Sequence, residues 1–62
     1  MTSYKIVQKN NPNLVHSVGY HGEEGKQKAQ NRIDTGEAIK YYTDKTIKFI
    51  VARQPLNTIN NI

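Results

Sequence analysis

The first third of the chain alternates apolar and polar positions with a period of two, as half-buried strands do. Tyr4-Lys5-Ile6-Val7-Gln8 is rich in β-formers and runs into Lys9-Asn10-Asn11-Pro12-Asn13, a dense cluster of turn residues. From Leu14 the alternation resumes, with Leu14, His16, Val18 and Tyr20 on one side and Val15, Ser17 and Gly19 on the other. The pattern predicts a β-hairpin with Pro12 in its loop, where the missing N–H costs no ladder bond.

Residues 23–35 lose that period. Glu, Lys, Gln, Ala and Arg dominate and no β-branched run interrupts them, so a helix is predicted. Glu23 and Glu24 fall where the positive end of the helix dipole favours acids, and Gly36 falls where a left-handed residue often closes a helix. The apolar stripe is thin, since only Ala29 and Ile33 share a face at i, i+4 spacing. Such a helix needs a sheet beneath it.

The last third reads as a second hairpin: residues 37–42, a polar turn at Thr43-Asp44-Lys45, and residues 46–52. In the latter Ile47, Phe49 and Val51 line one face, while Ile50 and Ala52 put apolar groups on the second, the signature of a central strand. Residues 37–42 carry an alternative reading, because Asp34 and Glu37 resemble a capping box that would carry helix on to Tyr42. The expectation is therefore a single small α+β domain over residues 1–55, with an antiparallel sheet, one helix on one face, and the order β-β-α-β-β, or β-β-α-β under the alternative. The Asn-rich residues 56–62 are expected to form a loosely ordered tail, docked at most through Leu56 and Ile59. The sheet face away from the helix has no covering element and is the place to look for a partner.

At 62 residues with 35% apolar side chains, no Trp and one Phe, the core is small and the stability modest, so a homodimer would help. The absence of Cys removes disulfides, thiolate nucleophiles and the common structural zinc sites. No apolar run suits a signal peptide or a membrane span, which points to a cytoplasmic protein without membrane contact. Nine Lys and Arg against five Asp and Glu give a formal charge of +4, which favours acidic partners.

Three motifs suggest chemistry. In Gly22-Glu23-Glu24-Gly25 the two carboxylates repel phosphate, and Lys26 is followed by Gln27 rather than by the Ser or Thr of a nucleotide-binding loop. The glycines then serve the bend from strand to helix. His16 and His21, five residues apart, fall on opposite faces of an ideal strand, unsuited to a shared metal, and Ser17 points away from His16. Neither a cofactor site nor a catalytic constellation follows, so an enzyme is not expected.

The basic residues are the third. Lys28 and Arg32 share a side of the helix one turn apart, and Lys5, Lys9, Lys40, Lys48 and Arg53 punctuate the strands. Tyr4, Tyr20, Tyr41, Tyr42 and Phe49 offer stacking surfaces among them, the combination that single-stranded nucleic acid favours. The competing reading places Phe49 and two tyrosines in the core and lets the lysines solvate the sheet edges. The leading expectation is a small basic non-catalytic protein that binds DNA or RNA, or acts in nucleic-acid-associated regulation, through Lys5, Lys28, Arg32, Lys40, Tyr41, Tyr42 and Lys48. The alternative is a phage- or plasmid-type accessory protein that inhibits or redirects a host protein through its sheet face or edge.

Overall fold

The computed structural model describes residues 1–55; the tail expected over residues 56–62 lies outside them. Three strands and one helix follow in the order β1 (Ser3–Gln8), β2 (Asn11–His21), α1 (Gly22–Asp34) and β3 (Phe49–Gln54), with a turn of 3₁₀-helix at Ile39–Tyr41 before β3. The sheet is antiparallel, in the order β2-β1-β3. The fold is α+β, with one helix on one face of the sheet.

Residues paired directly across an antiparallel ladder project to the same face. On the face toward α1, Ile6 pairs with Val51 and Gln8 with Phe49, and Tyr4 pairs with both Arg53 and Tyr20. Ile6, Tyr20, Ala29, Ala38 and Phe49 form the buried core there, with Tyr4, Ile33, Ile39, Tyr42, Ile47 and Val51 packed around it. On the opposite face Val7 pairs with Val15 and Ile50, and Lys5 with Ala52. Val7 is fully buried between exposed Val15 and Ile50, and no described element covers that face.

The central strand is β1, which corrects the expectation for β3. Consecutive apolar residues mark a strand buried on both sides, and Ile6-Val7 meets that description because both are fully buried, Ile6 in the core and Val7 between its cross-strand neighbours Val15 and Ile50. In β3 the same pattern belongs to an edge strand, where Ile50 is 37% exposed. The strand also starts later than expected: Thr46 to Lys48 precede it, and Thr46 closes a local turn on the Asp44 carboxylate.

Residues 37–42 form neither the expected strand nor a continuation of α1. Gly36, at φ 80°, adopts the left-handed conformation that ends the helix. The Glu37 amide then donates to the Arg32 carbonyl and the Gly36 amide to that of Ile33, the paired closing bonds of a Schellman motif. Beyond it Ala38 is buried, while Ile39 and Tyr42 pack on the core. Inward positions at i, i+1 and i+4 follow a helical period, which a strand with period two cannot present. The second hairpin is therefore absent and the sheet has three strands.

Two smaller corrections concern β2. It begins at Asn11 and so contains Pro12, tolerable because the strand lies at the sheet edge. Its alternation breaks, because the register against β1 shifts between Tyr4 and Ile6, between Ile6 and Val7, and between Val7 and Gln8. Leu14 and Val18 consequently stay exposed while Tyr20 is buried, although simple alternation puts all of them on one side.

Candidate nucleic-acid interface

The segment that was expected to add a strand builds the most chemically distinctive surface. Tyr41, at the end of the 3₁₀ turn, is 69% exposed. The Lys40 ammonium lies 5.4 Å from its ring centroid, within cation–π range. The imidazole of His16, from β2, lies 5.8 Å away, centroid to centroid.

His16 is the hub of this cluster. Its ring also lies 5.7 Å from that of Tyr42 and 5.5 Å from that of Phe49, and its Nδ1 shares a 3.2 Å hydrogen bond with the Tyr42 hydroxyl. Tyr42 and Phe49 meet at 5.3 Å, in a tilted arrangement that suits the ring quadrupoles. Exposed Tyr41 thus rests on a layer of aromatic rings anchored in the core by Phe49.

Cations ring the cluster. The Lys45 ammonium donates to the carbonyls of Ile39 (3.2 Å) and Lys40 (3.5 Å), where the last carbonyls of a helical turn attract positive charge. Lys40 pairs with Glu37 at 2.8 Å. That hydrogen bond and charge hold the Glu37 carboxyl below its ordinary value, Arg32 adding a smaller effect, and they raise the Lys40 ammonium. The pair is exposed, so an incoming anion can compete with Glu37 for Lys40 at little cost.

The sequence-predicted residues divide between surfaces. Lys40, Tyr41 and Tyr42 come together with His16, and Arg32 is linked to Lys40 only through Glu37, whose amide donates to the Arg32 carbonyl and whose carboxylate pairs with Lys40. Lys28 is exposed on α1. Lys5 projects from the opposite sheet face, paired with Ala52, and Lys48 lies at the β1–β2 turn, where its carbonyl accepts from the Lys9 amide at 2.8 Å. The seven positions therefore do not share one face. Of the aromatic residues, Tyr20 and Phe49 are core, while Arg32 lies 5.6 Å from the ring of Tyr20 and Lys26 5.7 Å from that of Tyr4. Tyr41 is the aromatic ring left most open. Sequence reasoning weighed His16 only as a metal or catalytic residue and assigned Lys45 to a turn; the irregular register between Ile6 and Val7, beside His16, has no signature in the residue pattern.

The other motifs are occupied structurally. The Gly22 amide, at the start of α1, donates to the Thr2 carbonyl at 2.7 Å, so it serves the strand-to-helix bend. His21 bonds Ser3 through Nδ1 at 2.9 Å, and Ser17 bonds the Tyr20 hydroxyl at 2.8 Å. Among the described residues no group of three His, Cys, Asp or Glu is placed to hold a metal, and no helix is long and apolar enough to cross a membrane. A depression of about 530 Å³ at the far end of the sheet is lined by Met1, Thr2, Ser3, Arg53, Gln54 and Pro55. No family model, curated protein or solved structure matches the chain.

Proposed function

We propose that this chain is a small, non-catalytic, cytoplasmic protein that binds single-stranded nucleic acid through the surface around Tyr41. The observation that supports this most is the exposed Tyr41 ring, backed by His16 and flanked by Lys40. A base stacking on an aromatic platform contributes about 1–3 kcal/mol whatever its identity. Lys40, Lys45 and Arg32 supply the phosphate contacts, which fix the strand without reading its sequence. The formal charge of +4 and the absence of Cys agree with a cytoplasmic partner of this kind. The test is an amide NMR titration with short single- and double-stranded oligonucleotides at low and moderate salt. Shifts confined to His16, Arg32, Lys40, Tyr41, Tyr42 and Lys45, stronger with single strands and weakening as salt rises, are expected. A well-dispersed spectrum that does not move at low salt refutes the reading.

One observation favours a second reading, binding to a protein. Val15 and Ile50 stand exposed on either side of Val7 on the uncovered sheet face, and Leu14 and Val18 add exposed aliphatic groups along β2. Loss of a protein partner on changing Ile50→Lys, with oligonucleotide shifts unaltered, would move the functional surface to that face.

A further inference from the structure

The free side of β3 is built to accept another strand. Its ladder to β1 runs from Ser3↔Gln54 to Gln8↔Phe49 without a register shift. One position further, the Lys9 amide donates to the Lys48 carbonyl, and this sets the phase of the ladder. Hydrogen-bonded and non-bonded pairs alternate along an antiparallel ladder. Ile50, Ala52 and Gln54 therefore turn their backbone groups toward β1, and Phe49, Val51 and Arg53 turn theirs outward. Among the described residues, nothing hydrogen-bonds those outward groups.

The two edges of the sheet differ. On β2, Pro12 and three shifts of register interrupt the edge, devices that discourage strand addition. Between Phe49 and Gln54, β3 has neither bulge nor proline.

We propose that β3 pairs antiparallel with β3 of a second copy of this chain, about a two-fold axis at Val51. Of the two-fold registers, this one alone matches every outward residue of both strands: Val51 faces Val51, and Phe49 faces Arg53 of the second copy. Charge and shape agree with it. Lys48 falls opposite Gln54, so no two cations face one another, whereas centring on Arg53 sets Arg53 against itself. On the uncovered face, exposed Ile50 comes against Ala52 of the second copy, extending the apolar row begun by Val15 and Val7. The result is one continuous sheet with β2 at both ends, its interrupted edges outermost. The inference is independent of nucleic-acid binding, because it rests on the backbone edge of β3 and uses neither Tyr41 nor Lys40.

Sedimentation equilibrium from micromolar to millimolar concentration should show the 7.1 kDa chain passing to twice its mass. Over the same range the amide exchange of Phe49, Val51 and Arg53 should slow with concentration, while that of Ile50 and Ala52, already bonded to β1, follows folding alone. Arg53→Pro removes one outward donor from an exposed side chain and leaves the β1 ladder intact, so it should raise the dissociation constant by about ten-fold or more with the dispersed spectrum retained. A monomer at millimolar concentration, or a dimer whose Phe49, Val51 and Arg53 amides exchange at the monomer rate, overturns the proposal. The exchange measurement decides even if Arg53→Pro does not fold.

Discussion

Gly25 sits directly on the backbone of Tyr20: a β-carbon added there would stand 2.6 Å from the Tyr20 carbonyl carbon and 3.1 Å from its α-carbon. The helix thus touches the strand that leads into it at a distance at which any side chain collides with main chain.

Gly25→Ala has no soft neighbour to displace, since the nearest atoms are backbone. It should destabilise the fold by about 1–3 kcal/mol, seen as a lower urea midpoint at unchanged slope. Gln27→Ala, on the exposed side of the same helix, should change stability by no more than about 0.5 kcal/mol. Equal effects of the two would show that the close contact does not govern the approach of α1.

Tyr42 ties the 3₁₀ turn to β2 through His16. Removing only its hydroxyl, in Tyr42→Phe, keeps the ring contacts with His16 and Phe49 and deletes the 3.2 Å hydrogen bond. A loss of about 0.5–1.5 kcal/mol is expected, together with a changed balance of His16 tautomers in ¹⁵N NMR spectra. Unchanged imidazole nitrogen shifts would mean that the bond does not select a tautomer.

Asp44 is held below its ordinary value first by the Thr46 hydroxyl and then by the Thr46 amide. A depressed folded-state value stabilises the fold above the ordinary carboxylate range, and this contribution disappears as pH falls through the lowered value. Thr46→Val keeps the amide bond and deletes the hydroxyl. It should move the Asp44 titration upward, part of the way to the ordinary value, as followed by the side-chain carboxyl ¹³C shift. A titration that stays where it was would assign the effect to the amide alone.

Tyr41→Ala removes an exposed ring, so stability should hold to within about 0.5 kcal/mol while single-strand affinity falls about 5- to 150-fold. Lys40→Gln should weaken binding more modestly and flatten its dependence on salt. Lys5→Gln, on the opposite face, should leave both nearly unchanged. Fluorescence anisotropy with a labelled oligonucleotide measures all three, and an effect of Lys5 as large as that of Tyr41 would displace the site from this surface.

Much of the fold was legible because local chemistry and packing agreed. The first hairpin, the helix with its acidic first turn and Gly36 at its end, and the single covered face of the sheet were all readable from period and punctuation. Residues 37–42 misled because Ile39, Tyr41 and Tyr42 are good strand formers individually, whereas the spacing of the inward positions Ala38, Ile39 and Tyr42 is helical. The rank of β1 and β3 was not local at all. Ile6-Val7 and Ile50-Val51 look alike, and the central place went to β1 because β3 returns to its free side. The candidate surface was partly named through Lys40, Tyr41 and Tyr42. His16 and Lys45 escaped because a shift in strand register and a set of turn carbonyls bring them there, and neither feature is written in residue type.

The irregular pairing of β2 has a consequence for how the chain can change its length. Eleven residues of β2 lie along the six of β1, so β2 holds surplus main chain that already bulges out of the ladder. Deleting one residue between Ser17 and Tyr20 can be absorbed by relaxing a bulge. A single deletion in β1 instead reverses every side chain beyond it, turning Ile6 or Val7 to the wrong face. Variation in length is thus confined to the outer strand, and a deletion scan should find soluble, folded variants there and none within Ser3–Gln8.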